Sequence, residues 1–252
     1  MSIPQNIFQK SIGDLVEENH VLAAVLYYFG ISFFKFEQES LAKVCQQFKI
    51  NPNQVVEELE SWASSKEPSE EELFLHPIEV LVEYLKKKHR VFVRQELPFL
   101  SNMVSGINAP EGFKGLMEDL RLMFPLFVDD FIHHIHEEEN TLFERIQFLQ
   151  SIEKGDVPLQ EAVGIFAQNS ILEDAAEHEA HDDEMEGIRK LTNDYLLPSD
   201  APMAIRILYM ELQKLEKELV IHAKIENDLL FPKAVTLEND IKKLISKIIQ
   251  SN

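Results

Sequence analysis

The stretch His134-Ile-His-Glu-Glu138-Glu-Asn-Thr-Leu-Phe143 returns in outline 88 residues later (134 to 222) as His222-Ala-Lys-Ile-Glu226-Asn-Asp-Leu-Leu-Phe231. Each copy holds His-x-x-x-Glu and closes on Leu-Phe. On a helix, residues i and i+4 lie on one face, one above the other. An imidazole and a carboxylate stacked in this way make a two-toothed grip for a metal ion. A single His-x-x-x-Glu is common by chance. Two copies in register point to paired grips on two helices.

The apolar stripes around the copies show which way they face. One stripe runs Phe124, Phe127, Phe131, His134, Glu138, Leu142, and the other runs Leu212, Leu215, Leu219, His222, Glu226, Leu230. Both pairs take the place of core residues. A buried carboxylate without a partner costs several kcal/mol or takes up a proton, and a metal ion removes that cost.

Two further stripes supply histidines. Ile78, Leu81, Leu85, His89 and Phe92 form one, and Ile171, Asp174, His178, His181, Met185 and Ile188 form the other. Taking one histidine from each, the expected ligand set is His89, His134, Glu138, His178, His222 and Glu226. His181 stands as an alternative to His178 or as a supporting residue. His133 and His136 fall off the stripe and are expected at the surface; His20 and His76 receive no role. Nitrogen and oxygen ligands without thiolate suit iron or manganese better than structural zinc.

The rest of the sequence reads as helix. Glycine is rare at 8 of 252 residues, and strand-like alternation is hard to find. Four long helical patterns are expected: about 77–104, 112–153, 158–195 and 201 to the end. Gly/Pro breaks separate them, which argues for an all-α, up-down-up-down four-helix bundle. Pro98, Pro125 and Pro232 are expected to kink or stop these helices. Before them lie shorter helices over 11–30, 39–48 and 53–62, with Asn51 or Asn53 as a cap. The polar run Ser64-Ser-Lys-Glu-Pro-Ser-Glu-Glu-Glu72 reads as a linker. The expected division is a small helical N-terminal domain, 1–66, and a bundle, 73–252. So small a domain has a marginal core and should dock on something, a second copy included.

Composition excludes several classes. A formal charge of −20 repels phosphate backbones, so nucleic-acid binding is not expected. The basic cluster Lys86-Lys-Lys-His-Arg90 reads as a solvated helix face. One cysteine, Cys45, rules out an intrachain disulfide and a cysteine-held cluster. No signal-peptide pattern and no apolar run of about 20 residues is seen, so a cytoplasmic protein without a membrane span is expected.

The paired motifs resemble those of hemerythrin-like di-iron proteins, and most of all the repair-of-iron-centers group, which repairs iron–sulfur clusters. Glu177-His178 with Ile188-Arg-Lys-Leu-Thr192 resembles that group's third motif, and Leu97-Pro98 the end of its first. Ser11 to Leu15, Glu39 to Ala42 and Pro52 to Leu59 are similar to the small domain that often precedes the bundle. The resemblance implies two iron ions (Fe2+/Fe3+) with an oxo or hydroxo bridge, carried by the six residues above. It implies repair or protection of iron–sulfur clusters under nitrosative or oxidative stress. Two other readings use the same ligands: an O2- or NO-binding sensor or carrier, and a di-iron nitric oxide reductase or peroxidase. Whether the chain is an enzyme is left open, as is a homodimer.

Two departures from the group stand out. Its small domain usually carries adjacent cysteines in its first loop; here the loop reads Ile31-Ser-Phe-Phe-Lys-Phe36. Its first-helix histidine sits eight residues before the proline of Leu-Pro, where this chain has Arg90. Arginine stays cationic and cannot ligate. His89 lies on the apolar stripe and is taken instead; a π-bulge before Pro98 would absorb the rotation of ~100° that one residue represents.

Overall fold

A computed structural model describes residues 7–64, 70–161, 170–179 and 184–251. The architecture is an all-α helical bundle. Among the described residues there is no strand, only an isolated bridge between Ser11 and Ser40. By internal contacts the chain forms two compact units. Unit 1 comprises 1–67, 92–125 and 187–215; unit 2 comprises 68–91, 126–186 and 216–252.

The N-terminal helices are α1 (Ile12–Glu18), α2 (Val21–Tyr28), α3 (Leu41–Phe48) and α4 (Pro52–Ser64). The expected helix over 11–30 is split at Asn19, which adopts extended backbone and accepts a bond from the Val21 amide at 3.1 Å. Ser11 and Ser40 cap α1 and α3 through their hydroxyls. Asn51 caps α4, accepting from the Asn53 amide at 3.0 Å.

These helices complete their core within unit 1. Tyr27 packs on Phe99 at 5.4 Å between ring centroids, and the Ser32 hydroxyl donates to the Asn102 side chain at 3.0 Å. The cysteine-free loop takes part: Ile31 and Phe33 are buried, and Phe34 lies so close to Gly106 that a Cβ there would sit 2.7 Å from its ring. Where the resemblance puts cysteines, this chain has packing residues. His20 Nδ1 lies 2.8 Å from buried Glu211, so that carboxylate has an internal partner.

The long spans carry the site. The first is α6 (Ile78–Val91), a π-helical segment Phe92–Glu96, and α7 (Leu97–Gly106). The second is α8 (Lys114–Glu138), a π segment Glu139–Phe143, and α9 (Glu144–Glu153). The third is described as α10 (Ile171–Glu179) and α11 (Glu186–Leu191). The fourth is α12 (Met203–Ile225), a π segment Glu226–Leu230, and α13 (Phe231–Ser251). A short helix α5 (Glu70–Phe74) precedes them and overlaps the end of the expected linker at 70–72. Its Leu73 is buried in the unit 2 core, an anchor the acid-rich run Glu70-Glu-Glu72 masks in sequence.

Each π segment has a local cause. Proline cannot donate to the carbonyl four residues back, and its ring clashes with that carbonyl. Pro98 and Pro232 stand second after a π segment, so the widened turn falls where the α-helical ladder is broken. They therefore widen the helix rather than stop it. In the second span no proline follows. There Asn140 and Thr141 donate side-chain bonds to the carbonyls of His136 and Glu137, at 2.7 and 2.6 Å, in competition with the backbone. Pro125 lies inside α8, which continues through it.

The third span ends earlier than expected. Asn193, Asp194 and Tyr195 all have positive φ, and α11 stops at Leu191. Asn and Asp tolerate the left-handed region better than most residues, and periodicity does not reveal it.

Candidate metal centre

All six expected residues lie in unit 2, and the structure brings them together in two groups. His89, His222 and Glu226 form one; His134, Glu138 and His178 form the other. Within each group, one ligand atom per residue lies within 4.8 Å of the others. Each group therefore combines a motif copy with a histidine from another span: His89 joins the second copy, and His178 joins the first.

The carboxylates straddle the two groups. Glu138 approaches His134 at 3.6 Å and His178 at 3.2 Å, and also His89 of the other group at 3.5 Å. Glu226 approaches His222 at 3.1 Å and His178 of the other group at 3.4 Å. The rings of His89 and His222 are 4.8 Å apart, those of His134 and His178 5.3 Å.

Burial makes this arrangement costly without a cation. Glu138 and Glu226 are 6% and 0% exposed. Among the described residues, neither oxygen of either carboxylate has a partner in hydrogen-bond geometry, nor does Nε2 of His89. An orphaned buried carboxylate costs on the order of 1–3 kcal/mol or more. Four such oxygens facing imidazole nitrogens fit a first-row metal pair, and the donor set matches.

The electrostatics show the same demand for positive charge. Burial pushes the His178 imidazole down, but the facing carboxylates of Glu138 and Glu226 outweigh it and raise it to about 11. Burial likewise opposes a charge on His222, and Glu226 and Glu138 overcome it and raise it. Burial lowers His89, and a charge on His222 lowers it further. Burial disfavours ionised Glu226, yet His222 and His178 hold it below the usual carboxylate range. Protons on imidazoles thus balance the carboxylates, and a metal ion binding there displaces them.

His89 is fixed from three sides. Its Nδ1 donates to Glu139 Oε1 at 2.9 Å, which leaves Nε2 facing the centre. Phe143 stacks on it at 5.7 Å with rings 4° from parallel, and His222 lies on another side. Arg90 is exposed. The π segment Phe92–Glu96 follows directly, where the displaced histidine calls for one. His178 Nδ1 lies 3.2 Å from Asn227 Oδ1.

Glu139 and Asn227 are the residues that sequence reasoning missed. Each stands immediately after a motif glutamate, so the repeat itself held the signal. Glu184 was also missed; burial, with Glu138 and Glu226 nearby, pushes it up to about 7. A cavity of about 370 Å³ opens onto the centre, lined by His134, Glu138, His178, His222, Glu226 and Glu184 among others. His133 and His136 are exposed as expected, and His181 lies outside the described residues. Lys88 departs from the expected wet face: it is buried and donates to Glu218 at 2.6 Å.

No protein-family model matches the chain. A protein of Musicola paradisiaca (strain Ech703) named iron-sulfur cluster repair protein YtfE is 25% identical over 231 residues, 90% of this chain and 96% of that one. Proteins of the same name from Yersinia pseudotuberculosis serotype IB (strain PB1/+) and Yersinia pestis (strain Pestoides F) are 26% identical over 172 residues, 66% of this chain and 70% of theirs. Among the described residues, no helix is long and apolar enough to cross a membrane. A helical bundle that gathers two His/Glu groups at one buried centre is thus similar, along most of its length, to proteins named for iron–sulfur cluster repair.

Proposed function

We propose that this protein holds two iron ions at His89, His134, Glu138, His178, His222 and Glu226 and serves the repair or protection of iron–sulfur clusters in the cytoplasm. The observation that carries this reading is the pair of buried carboxylates, Glu138 and Glu226, whose oxygens have no hydrogen-bond partner among the described residues. The relatives' name supplies the process.

In this reading His89 and His222 with Glu226 hold one ion, and His134 and His178 with Glu138 hold the other. Each carboxylate also faces a histidine of the opposite group, which supports a shared centre over two separate sites. Iron there supplies a redox-active, exchangeable cation for a damaged cluster. The chain's own part is to orient and exclude: Glu139 fixes the His89 tautomer, and Phe143 and Phe231 wall the centre with apolar surface. Iron–sulfur proteins are the partners of this reading.

A second reading has its own support. The cavity of about 370 Å³ reaches five of the six residues, which is room enough for O2 or NO to reach the ions. The protein would then sense or carry the ligand. Spectral changes that reverse on ligand removal, without iron loss, favour this reading over repair.

The test is metal content per chain on protein purified without chelator, with an absorption spectrum in the near-ultraviolet and visible. Two irons are expected, lost in a Glu138→Ala/Glu226→Ala double variant. If the native protein, reconstituted anaerobically, retains no more iron than that variant, the reading fails.

A further inference from the structure

The outside reaches the two groups unequally. The side chain of His134 is 33% exposed, and with Glu138 and His178 it lines the cavity. Glu137, Asp174 and Glu184 line the same cavity, so its walls favour a cation. His222 and Glu226 reach the cavity as well, but His89 is not among its walls. In its group the side chains of His89, His222 and Glu226 are 2%, 5% and 1% exposed.

The groups also differ in how freely a ligand can let go. A ligand releases an ion by swinging away from it. His134 has open space beside it. His89 is held between Phe143 and His222 and tied through Nδ1 to Glu139. Moving it would break that bond and an aromatic contact inside a close-packed core.

We propose that the two halves exchange metal unequally: a divalent first-row cation enters and leaves through the cavity at His134, Glu138 and His178, while His89, His222 and Glu226 retain theirs, locked by Glu139. This rests on the six residues forming a two-metal centre. It makes Glu139 a positioning residue and allows one ion per chain for transfer. The retained ion keeps Glu226 compensated throughout.

The experiment loads the full chain anaerobically with two equivalents of Co2+, adds excess chelator, and follows cobalt loss by absorbance and by metal analysis. Two phases are expected, one equivalent each. The fast one should exceed the slow by about tenfold or more, the ratio that ~1.4 kcal/mol of barrier gives. His134→Gln should abolish the fast equivalent and keep the slow one. Glu139→Gln, nearly isosteric, should speed the slow phase by about 10–100-fold, the usual cost of losing such a support, and leave the fast phase unchanged. Release of both equivalents in one phase overturns the inequality, and so does a Glu139→Gln variant whose slow phase does not change. Binding of fewer than two equivalents by the native chain overturns instead the two-metal reading beneath it.

Discussion

Two buried glutamates in unit 2, twelve residues apart (226 to 238), have opposite surroundings. Glu238 is 2% exposed and accepts bonds from Arg145 and from Lys242, the latter at 2.9 Å. Glu226 is 0% exposed, and neither of its oxygens has a hydrogen-bond partner among the described residues. The same fold thus compensates one buried carboxylate with cations of its own and surrounds the other with imidazoles that a metal can occupy. A buried charge needs a partner in either case. The difference teaches what each setting offers: fixed cations at Glu238, and at Glu226 imidazoles that could also ligate a metal.

The largest expected effect breaks the internal compensation. Arg145→Met should cost about 3–5 kcal/mol, because it strands Glu238 and also removes a contact to Asp174 at 3.5 Å. Urea denaturation measures it, and a loss below about 1 kcal/mol would mean that Lys242 alone suffices.

Next comes the external compensation. Metal at a hundred times its dissociation constant should stabilise the native chain by about 2.7 kcal/mol per site. Glu226→Gln should remove most of that gain yet leave metal-free stability within about 1 kcal/mol of the parent. Melting curves with and without chelator decide this. A variant that melts far lower without metal would give Glu226 a structural role like that of Glu238.

The pair His20–Glu211 in unit 1 lies between these extremes, since its cation can titrate. The bond to Glu211 raises the His20 pKa above 6.5, outweighing burial. The pair's contribution is therefore full below the unfolded-state value near 6.5 and fades as pH rises through the higher folded value. His20→Ala should cost about 1 kcal/mol at pH 5.5, discounted for the exposure of His20, and less at pH 9. An equal loss at both values would show packing rather than charge.

The smallest effect sharpens the choice of ligand. Arg90→Ala should change stability by less than about 0.5 kcal/mol and leave metal content alone, as expected for an exposed position. His89→Ala should lower metal content. The reverse pattern would move the first-span role to position 90.

Much of this was legible in the residues. The stripes around His134–Glu138 and His222–Glu226 replace core positions, so their inward direction follows from a 3.6-residue period. The same argument separates His89 from Arg90 and sets His133 and His136 outside. Less was legible where local backbone chemistry competes with periodicity. The split at Asn19, the left-handed run Asn193 to Tyr195, and helix α5 inside an acidic stretch each depend on a turn residue or a single buried contact.

The sequence by itself determined the helical class, the duplicated grips and the candidate histidines, because a helix's period orients each side chain about its own axis. Only the tertiary structure decided the partnerships. His89 joins the copy around Glu226 and is oriented by Glu139 of the other copy; His178 joins the copy around Glu138 and meets Asn227 of the other. It also left His134 part-exposed at a cavity that five of the six residues line and His89 does not. A period carries no information about the rotation and depth of a neighbouring helix. Those are set by how the cores interlock, and here by three π segments that shift the facing side chains beside His89, Glu138 and Glu226.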